Sequence, residues 1–238
     1  MIRAVLFDWY DTLAHVNGEA IVAGRRAIAE RAGVDPERMA ELWRDTAEQR
    51  MLGALGGLDE QFVTLLGRLG CDPSPGLVRE LAEIDLRSWQ DAVTQYPDAR
   101  PALETLKARG YKLGVLSNCS AEAGAVIERA GLDHVFEVLA LSFRLGVAKP
   151  QPAIYHAALE LLDVAPAETV FVADGAFGEL DAARALGIVA VLVEQARQSR
   201  AYGASSEWDH RVERLAEVPP LVDRLRQESA PQGRLEQA

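Results

Sequence analysis

From residue 95 onward the chain repeats one pattern: a short, nearly unbroken apolar run, a longer stretch at helical spacing, then another run. The runs fall at 112–116 (KLGVL), 135–141 (VFEVLAL), 169–173 (TVFVA) and 188–193 (IVAVLV), and a further one, AVLF at 4–7, opens the chain. A strand with one wet face alternates polar and apolar residues; an unbroken apolar run belongs to a strand covered on both faces of a parallel sheet. Helices are predicted between the runs at 98–109, 121–130, 152–162 and 180–186. Gly110, Gly131 and Gly187 stand just past three of them, and Pro152 opens the fourth. Glycine after a helix and proline in its first turn are the expected punctuation. Strands alternating with helices of this length imply right-handed crossovers, hence an α/β fold built on a doubly wound parallel sheet.

Between residues 16 and 92 the pattern changes to helices alone. They are predicted at 18–32, from Pro36 (capped by Asp35) towards Leu52, at 59–69 and at 75–92. This reads as a helical subdomain inserted between the first strand and the second, fed by linkers near 14–17 and 94–97. The expected organisation is an α/β core at 1–16 and 95–226, a helical cap at 17–94, and a flexible polar tail at 227–238 (QESAPQGRLEQA).

With 25 Lys and Arg against 36 Asp and Glu, the net charge is −11, which argues against nucleic acid or an anionic membrane as partner. An anionic substrate then needs a local positive site. Two cysteines, Cys71 and Cys119, make no disulfide framework, and the four histidines show no metal-ligand spacing. No apolar stretch approaches spanning length, and Asp8 interrupts the only N-terminal apolar run, so a cytoplasmic protein is expected. The glycine fingerprint of dinucleotide binding is absent after the first run.

In open α/β sheets ligands bind at the carboxyl ends of the strands. The residues just past the apolar runs are Asp8, Ser117 with Asn118, and Asp174, and Lys149 precedes the helix that leads into the 169–173 run. Two carboxylates, a hydroxyl and an ammonium at one edge suit an anion and a hard divalent cation such as Mg²⁺.

Read in order, FDWYDTL at 7–13, LSN at 116–118, KPQPAIY at 149–155 and VFVADGAFGEL at 170–180 resemble the four motifs of the haloacid dehalogenase superfamily of hydrolases. The resemblance implies a Rossmann-like core with a small helical cap. It implies Asp8 as a nucleophile that forms a covalent aspartyl intermediate. Ser117 and Asn118 would bind the transferred group, and Lys149 would hold the negative charges together. Mg²⁺ would be held by Asp8, the Tyr10 backbone carbonyl and Asp174, with Glu179 acting from behind. A small-molecule substrate and a monomer or homodimer follow from the same resemblance.

Two residues depart from the family's phosphatases. These carry an aspartate two residues after the nucleophile as general acid and base, and a glycine after that. This chain has Tyr10 and Asp11. The dehalogenase branch has tyrosine at the first position, needs no metal, and lacks the leading aspartate of the last motif. Trp43–Arg44 resembles its substrate-clasping arginine, while on a helix the pair reads first as a core aromatic and a surface arginine. Three readings therefore stand: a Mg²⁺-dependent phosphatase with weakened acid catalysis, a metal-independent 2-haloacid dehalogenase, and a catalytically impaired binding protein on the same fold.

Overall fold

A computed structural model of the chain describes residues 1–195 and 203–229. It opens with β1 (Ala4–Phe7) and β2 (Ala14–Val16), then runs through five helices: α1 (Gly18–Ala32), α2 (Pro36–Asp45), α3 (Ala47–Met51), α4 (Leu58–Leu69) and α5 (Pro75–Ala92). The chain returns through β3 (Val93–Gln95), α6 (Ala99–Ala108), β4 (Lys112–Ser117), α7 (Ala123–Arg129), β5 (Val138–Leu141) and α8 (Ser142–Leu145). It finishes with α9 (Pro152–Leu162), β6 (Thr169–Ala173), α10 (Glu179–Ala185), β7 (Val189–Val193), β8 (His210–Val212) and α11 (Val218–Glu228).

The main sheet has the order β5-β4-β1-β6-β7-β8, with every described pairing parallel. Its central strand explains the apolar runs. In β1 every residue is buried, with Val5 and Phe7 in the cluster beneath α6 and α11 and Ala4 and Leu6 in the one beneath α9 and α10. The strand order reverses at β1, which pairs with β4 on one side and β6 on the other. A reversal of this kind leaves a crevice at the strands' carboxyl ends, where neighbouring connections part in opposite directions. The fold is thus the Rossmann-like α/β architecture that the apolar runs imply.

The helical block has its own apolar cluster, in which Trp43, Phe62, Leu65 and Leu81 are buried. Tight helix packing in the block depends on Gly24 of α1, where an added Cβ would lie 2.1 Å from Ser88 Oγ of α5.

Several element bounds differ from the sequence expectation. The helix predicted from Pro36 towards Leu52 breaks at Thr46, whose hydroxyl bonds back to the Leu42 carbonyl at 2.7 Å. Such back-bonding competes with the helical ladder. The expected linkers are not loose. Ala14–Val16 and Val93–Gln95 pair antiparallel as a two-stranded ribbon that carries the chain into and out of the block. The strand expected from 135 begins at Val138, because residues 133–135 form a 3₁₀ turn. α11 continues to Glu228, two residues into the expected tail, since Val222 and Leu225 fasten it to the core. The rest of that tail, 230–238, lies outside the described residues.

Candidate active site

Four connections bring the polar residues together. Asp8 follows β1, where its amide donates to the Val172 carbonyl of β6 at 3.0 Å. Ser117 is the last residue of β4, Asp174 follows β6, and Glu179 opens α10. Lys149 reaches in from the segment before α9. Its Nζ stands 2.7 Å from Asp8 Oδ1 and 2.5 Å from Glu179 Oε2.

Positioning of these groups is redundant. The Asp174 amide donates to Thr12 Oγ1 at 3.0 Å, which ties the segment after β6 to the one after β1. Glu179 Oε1 accepts from the Gly175 amide at 3.2 Å, and the Tyr155 hydroxyl donates to the Glu179 carbonyl at 2.8 Å. Asn118 lines the cavity, and its side chain also holds Lys149: it donates to the Lys149 carbonyl at 2.9 Å and accepts from the Lys149 amide at 2.8 Å. Ser117 stands beside it with a buried hydroxyl that has no hydrogen-bond partner among the described residues.

Asp8, Asp174 and Glu179 are buried, and each offers a carboxylate oxygen within 4.8 Å of the others. Burial holds the Asp8 and Glu179 carboxyls above their usual range even against the pull of the Lys149 ammonium, a cost that a bound cation would relieve. Burial works to lower the Lys149 value, but Asp8 and Glu179 more than offset it, and the side chain stays an ammonium. Three carboxylates behind one ammonium leave excess negative charge in a set of hard oxygen donors, which is the chemistry that suits Mg²⁺.

The site opens into a cavity of about 250 Å³ between the core and the helical block. Asp8, Ser117, Asn118, Lys149 and Asp174 line it together with Tyr10, Asp11, Val16, Trp89, Ala176 and Phe177. Trp89, from α5, carries no motif, and only its place on the helix face next to the ribbon could have signalled it. Asp11 sits at φ 57°, a left-handed conformation that favours glycine. Tyr10 is turned sideways, with its ring centroid 5.4 Å from that of Trp89 and a buried hydroxyl that has no partner among the described residues. Burial raises that phenol well above its usual range, as do Glu122 and Cys119 nearby. Burial likewise keeps the Cys119 thiol protonated, so it is a packing residue.

Trp43 is buried and Arg44 exposed, a core aromatic beside a surface arginine; Arg44 lines a groove with Arg26 and Asp35 and is not among the residues that line the cavity. Trp43 faces inward on α2, and the next residue on a helix points about 100° away. The inward cation is Arg50, which is buried and donates to the Trp43 carbonyl at 2.8 Å with its guanidinium 4.5 Å from the Trp43 ring centroid. It belongs to a charged cluster at the seam between block and core, with Arg25, Asp85 and Glu122. Burial raises Asp85 to about 6, against the pull of Arg50 and Arg25. Burial, with Asp85 adding, raises Glu122 to about 7.

The reversed strand order at β1 and the buried carboxylates at that crevice define an α/β protein with its candidate site at the strands' carboxyl ends. The chain belongs to the haloacid dehalogenase-like hydrolases, whose family profile matches residues 2–187. It is 33% identical over 202 residues to the glyceraldehyde 3-phosphate phosphatase of Methanopyrus kandleri, spanning 83% of this chain and 86% of that one. It is 31% identical over 232 residues to (S)-2-haloacid dehalogenase 1 of Pseudomonas sp. strain CBS-3, spanning 95% and 99%. The crystal structure of a 2-haloacid dehalogenase from Pseudomonas syringae pv. Tomato DC3000 superposes with a TM-score of 0.72 at 26% identity, over 94% of this chain and 99% of that one. The relatives thus divide between two hydrolytic chemistries. No helix among the described residues is long and apolar enough to cross a membrane.

Proposed function

We propose that this hydrolase is a Mg²⁺-dependent phosphatase of small phosphomonoesters, working through a covalent intermediate on Asp8, with the helical block as its cap. The observation that carries the reading is the buried cluster of Asp8, Asp174 and Glu179. Displacing a halide from carbon needs no such donor set, and holding one together without a cation is costly.

In this reading an Asp8 oxygen attacks phosphorus, the P–O bond to the alcohol breaks, and water then attacks the same phosphorus to release phosphate and restore Asp8. Lys149 balances charge on Asp8 and the transferring group, and Ser117 Oγ donates to a phosphoryl oxygen. Mg²⁺ would be held by Asp8, Asp174 and the Tyr10 carbonyl, with Glu179 behind them, and would supply further charge neutralisation. Tyr10 holds its proton too tightly to be an efficient acid, so the leaving oxygen takes its proton from solvent. Esters with good leaving groups are favoured, since a placed general acid is worth roughly 10²–10⁴-fold in rate.

Tyr10 also supports a second reading, dehalogenation, because a departing halide needs no proton. One paired assay separates the two. Hydrolysis of para-nitrophenyl phosphate that requires Mg²⁺ and is abolished in Asp8→Asn supports the phosphatase. Chloride release from 2-chloropropionate that is indifferent to EDTA replaces it with the dehalogenase.

A further inference from the structure

The two ends of the cavity differ in chemistry. Its base is built for a phosphoryl group. Around that base stand three aromatic residues, Tyr10, Trp89 and Phe177, the first two with ring planes inclined at 44°, and one carboxylate, Asp11. Two contacts steady that carboxylate, and both use the same oxygen: the Val16 amide lies 3.4 Å from Oδ1 and His15 Nδ1 lies 3.5 Å from it. Oδ2 is left with its lone pairs. Asp11 also keeps a left-handed backbone that glycine would adopt at lower cost. Among the described residues, Lys149 is the cationic side chain that lines the cavity, and it is engaged by Asp8 and Glu179.

An aromatic wall with a carboxylate beside it attracts a cation: the ring faces carry the negative side of the quadrupole and the carboxylate adds direct Coulomb attraction. A second anionic group on the substrate would be repelled by Asp11, since Lys149 is engaged by Asp8 and Glu179 and His15 faces the Asp11 oxygen turned away from Oδ2. The cavity, about 250 Å³, is also below the usual range of roughly 300–1,000 Å³ for ligand pockets, so the alcohol must be small. We infer that the preferred substrate is a small phosphomonoester whose alcohol carries an ammonium group, seated between Tyr10, Trp89 and Asp11. This rests on the phosphatase reading and adds the class of its leaving group.

The test compares kcat/KM on the full chain with Mg²⁺ for matched esters. 2-Aminoethyl phosphate is set against propyl phosphate, and 2-(trimethylammonio)ethyl phosphate against its neutral isostere 3,3-dimethylbutyl phosphate. Phosphoglycolate is the anionic arm and para-nitrophenyl phosphate the control. Each cationic ester should exceed its neutral partner by about 10-fold, with the anionic ester below both. In Asp11→Asn, which keeps a residue tolerant of the left-handed backbone, that ratio should fall towards one whatever happens to the absolute rates. A ratio at or below one in the wild type, or a preference that survives Asp11→Asn, overturns the inference while para-nitrophenyl phosphate turnover leaves the phosphatase reading standing. Turnover of para-nitrophenyl phosphate alone overturns it as well. Silence on every ester, the control included, removes the phosphatase reading and this inference with it.

Discussion

The Lys149 ammonium lies 2.7 Å from the Asp8 carboxylate, and both side chains are shut away from solvent, 2% and 10% exposed. The lysine therefore serves the fold as well as the chemistry. Removing a buried cation strands its carboxylates, a loss of roughly 3–5 kcal/mol. Lys149→Met should lower the melting temperature by about 10 °C, at about 2–4 °C per kcal/mol for a chain of this size, and cut turnover at least ~10²-fold. Asp8→Asn leaves Lys149 paired with Glu179, so its melting temperature should move far less while turnover disappears. Equal melting temperatures for Lys149→Met and the wild type would show that the ammonium is not needed to hold the carboxylates.

The carboxylate cluster makes a prediction that does not depend on activity. On the phosphatase reading, saturating Mg²⁺ should bind the folded chain and not the unfolded one, stabilising it by about 2–3 kcal/mol at 100 times its dissociation constant, read as a rise in melting temperature. Asp174→Asn should weaken that response so that ~10–100-fold more Mg²⁺ is needed. A wild-type melting curve that ignores Mg²⁺ would take the ion out of the site.

Asp85 and Glu122, at the seam with Arg25 and Arg50, set a pH dependence. Burial raises Asp85 from 3.8 to about 6 and Glu122 from 4.5 to about 7. Between its unfolded and folded values each group binds its proton more tightly in the folded chain. Its contribution is complete below about pH 4 and is lost as pH rises through 6 for Asp85 and 7 for Glu122. Asp85→Asn should remove on the order of 3 kcal/mol of that decline. The measurement is the difference in melting temperature between wild type and variant from pH 4 to 8. A difference that stays flat across this range contradicts the assignment.

The Tyr10 hydroxyl is buried with no hydrogen-bond partner among the described residues. An unsatisfied buried hydroxyl costs roughly 1–3 kcal/mol, so Tyr10→Phe should be neutral or stabilising by about 1 kcal/mol. Thermal denaturation reads this directly. A clear destabilisation would mean that the phenol has a partner, such as a bound water.

Much of the core was legible because parallel strands covered on both faces cannot hide: their apolar runs end where the sheet ends, and the next polar residue stands in the crevice. Asp8, Ser117 and Asp174 could be found that way. The bonds between Asn118 and Lys149 are not legible, because a donor that clasps a neighbouring main chain reads the same in one dimension as a donor aimed at substrate. Trp43 and Arg44 part as a helix requires, the ring buried and the cation exposed about 100° away. Arg50, seven residues past Trp43 and hence two turns on, was the residue to examine, although the break at Thr46 obscures the spacing. Asp85 and Glu122 carry no local signal, because their burial comes from two segments meeting across the seam.

The ribbon in which Val16 pairs with Val93 has a consequence for how such a protein can change. The chain leaves the core and returns to it through adjacent backbones, so an ordinary two-residue turn could close the gap, and everything between is an exchangeable module plugged in at one port. The wall that holds Trp89 can thus be traded wholesale for another, while the strands that carry Asp8 and Ser117 keep their register.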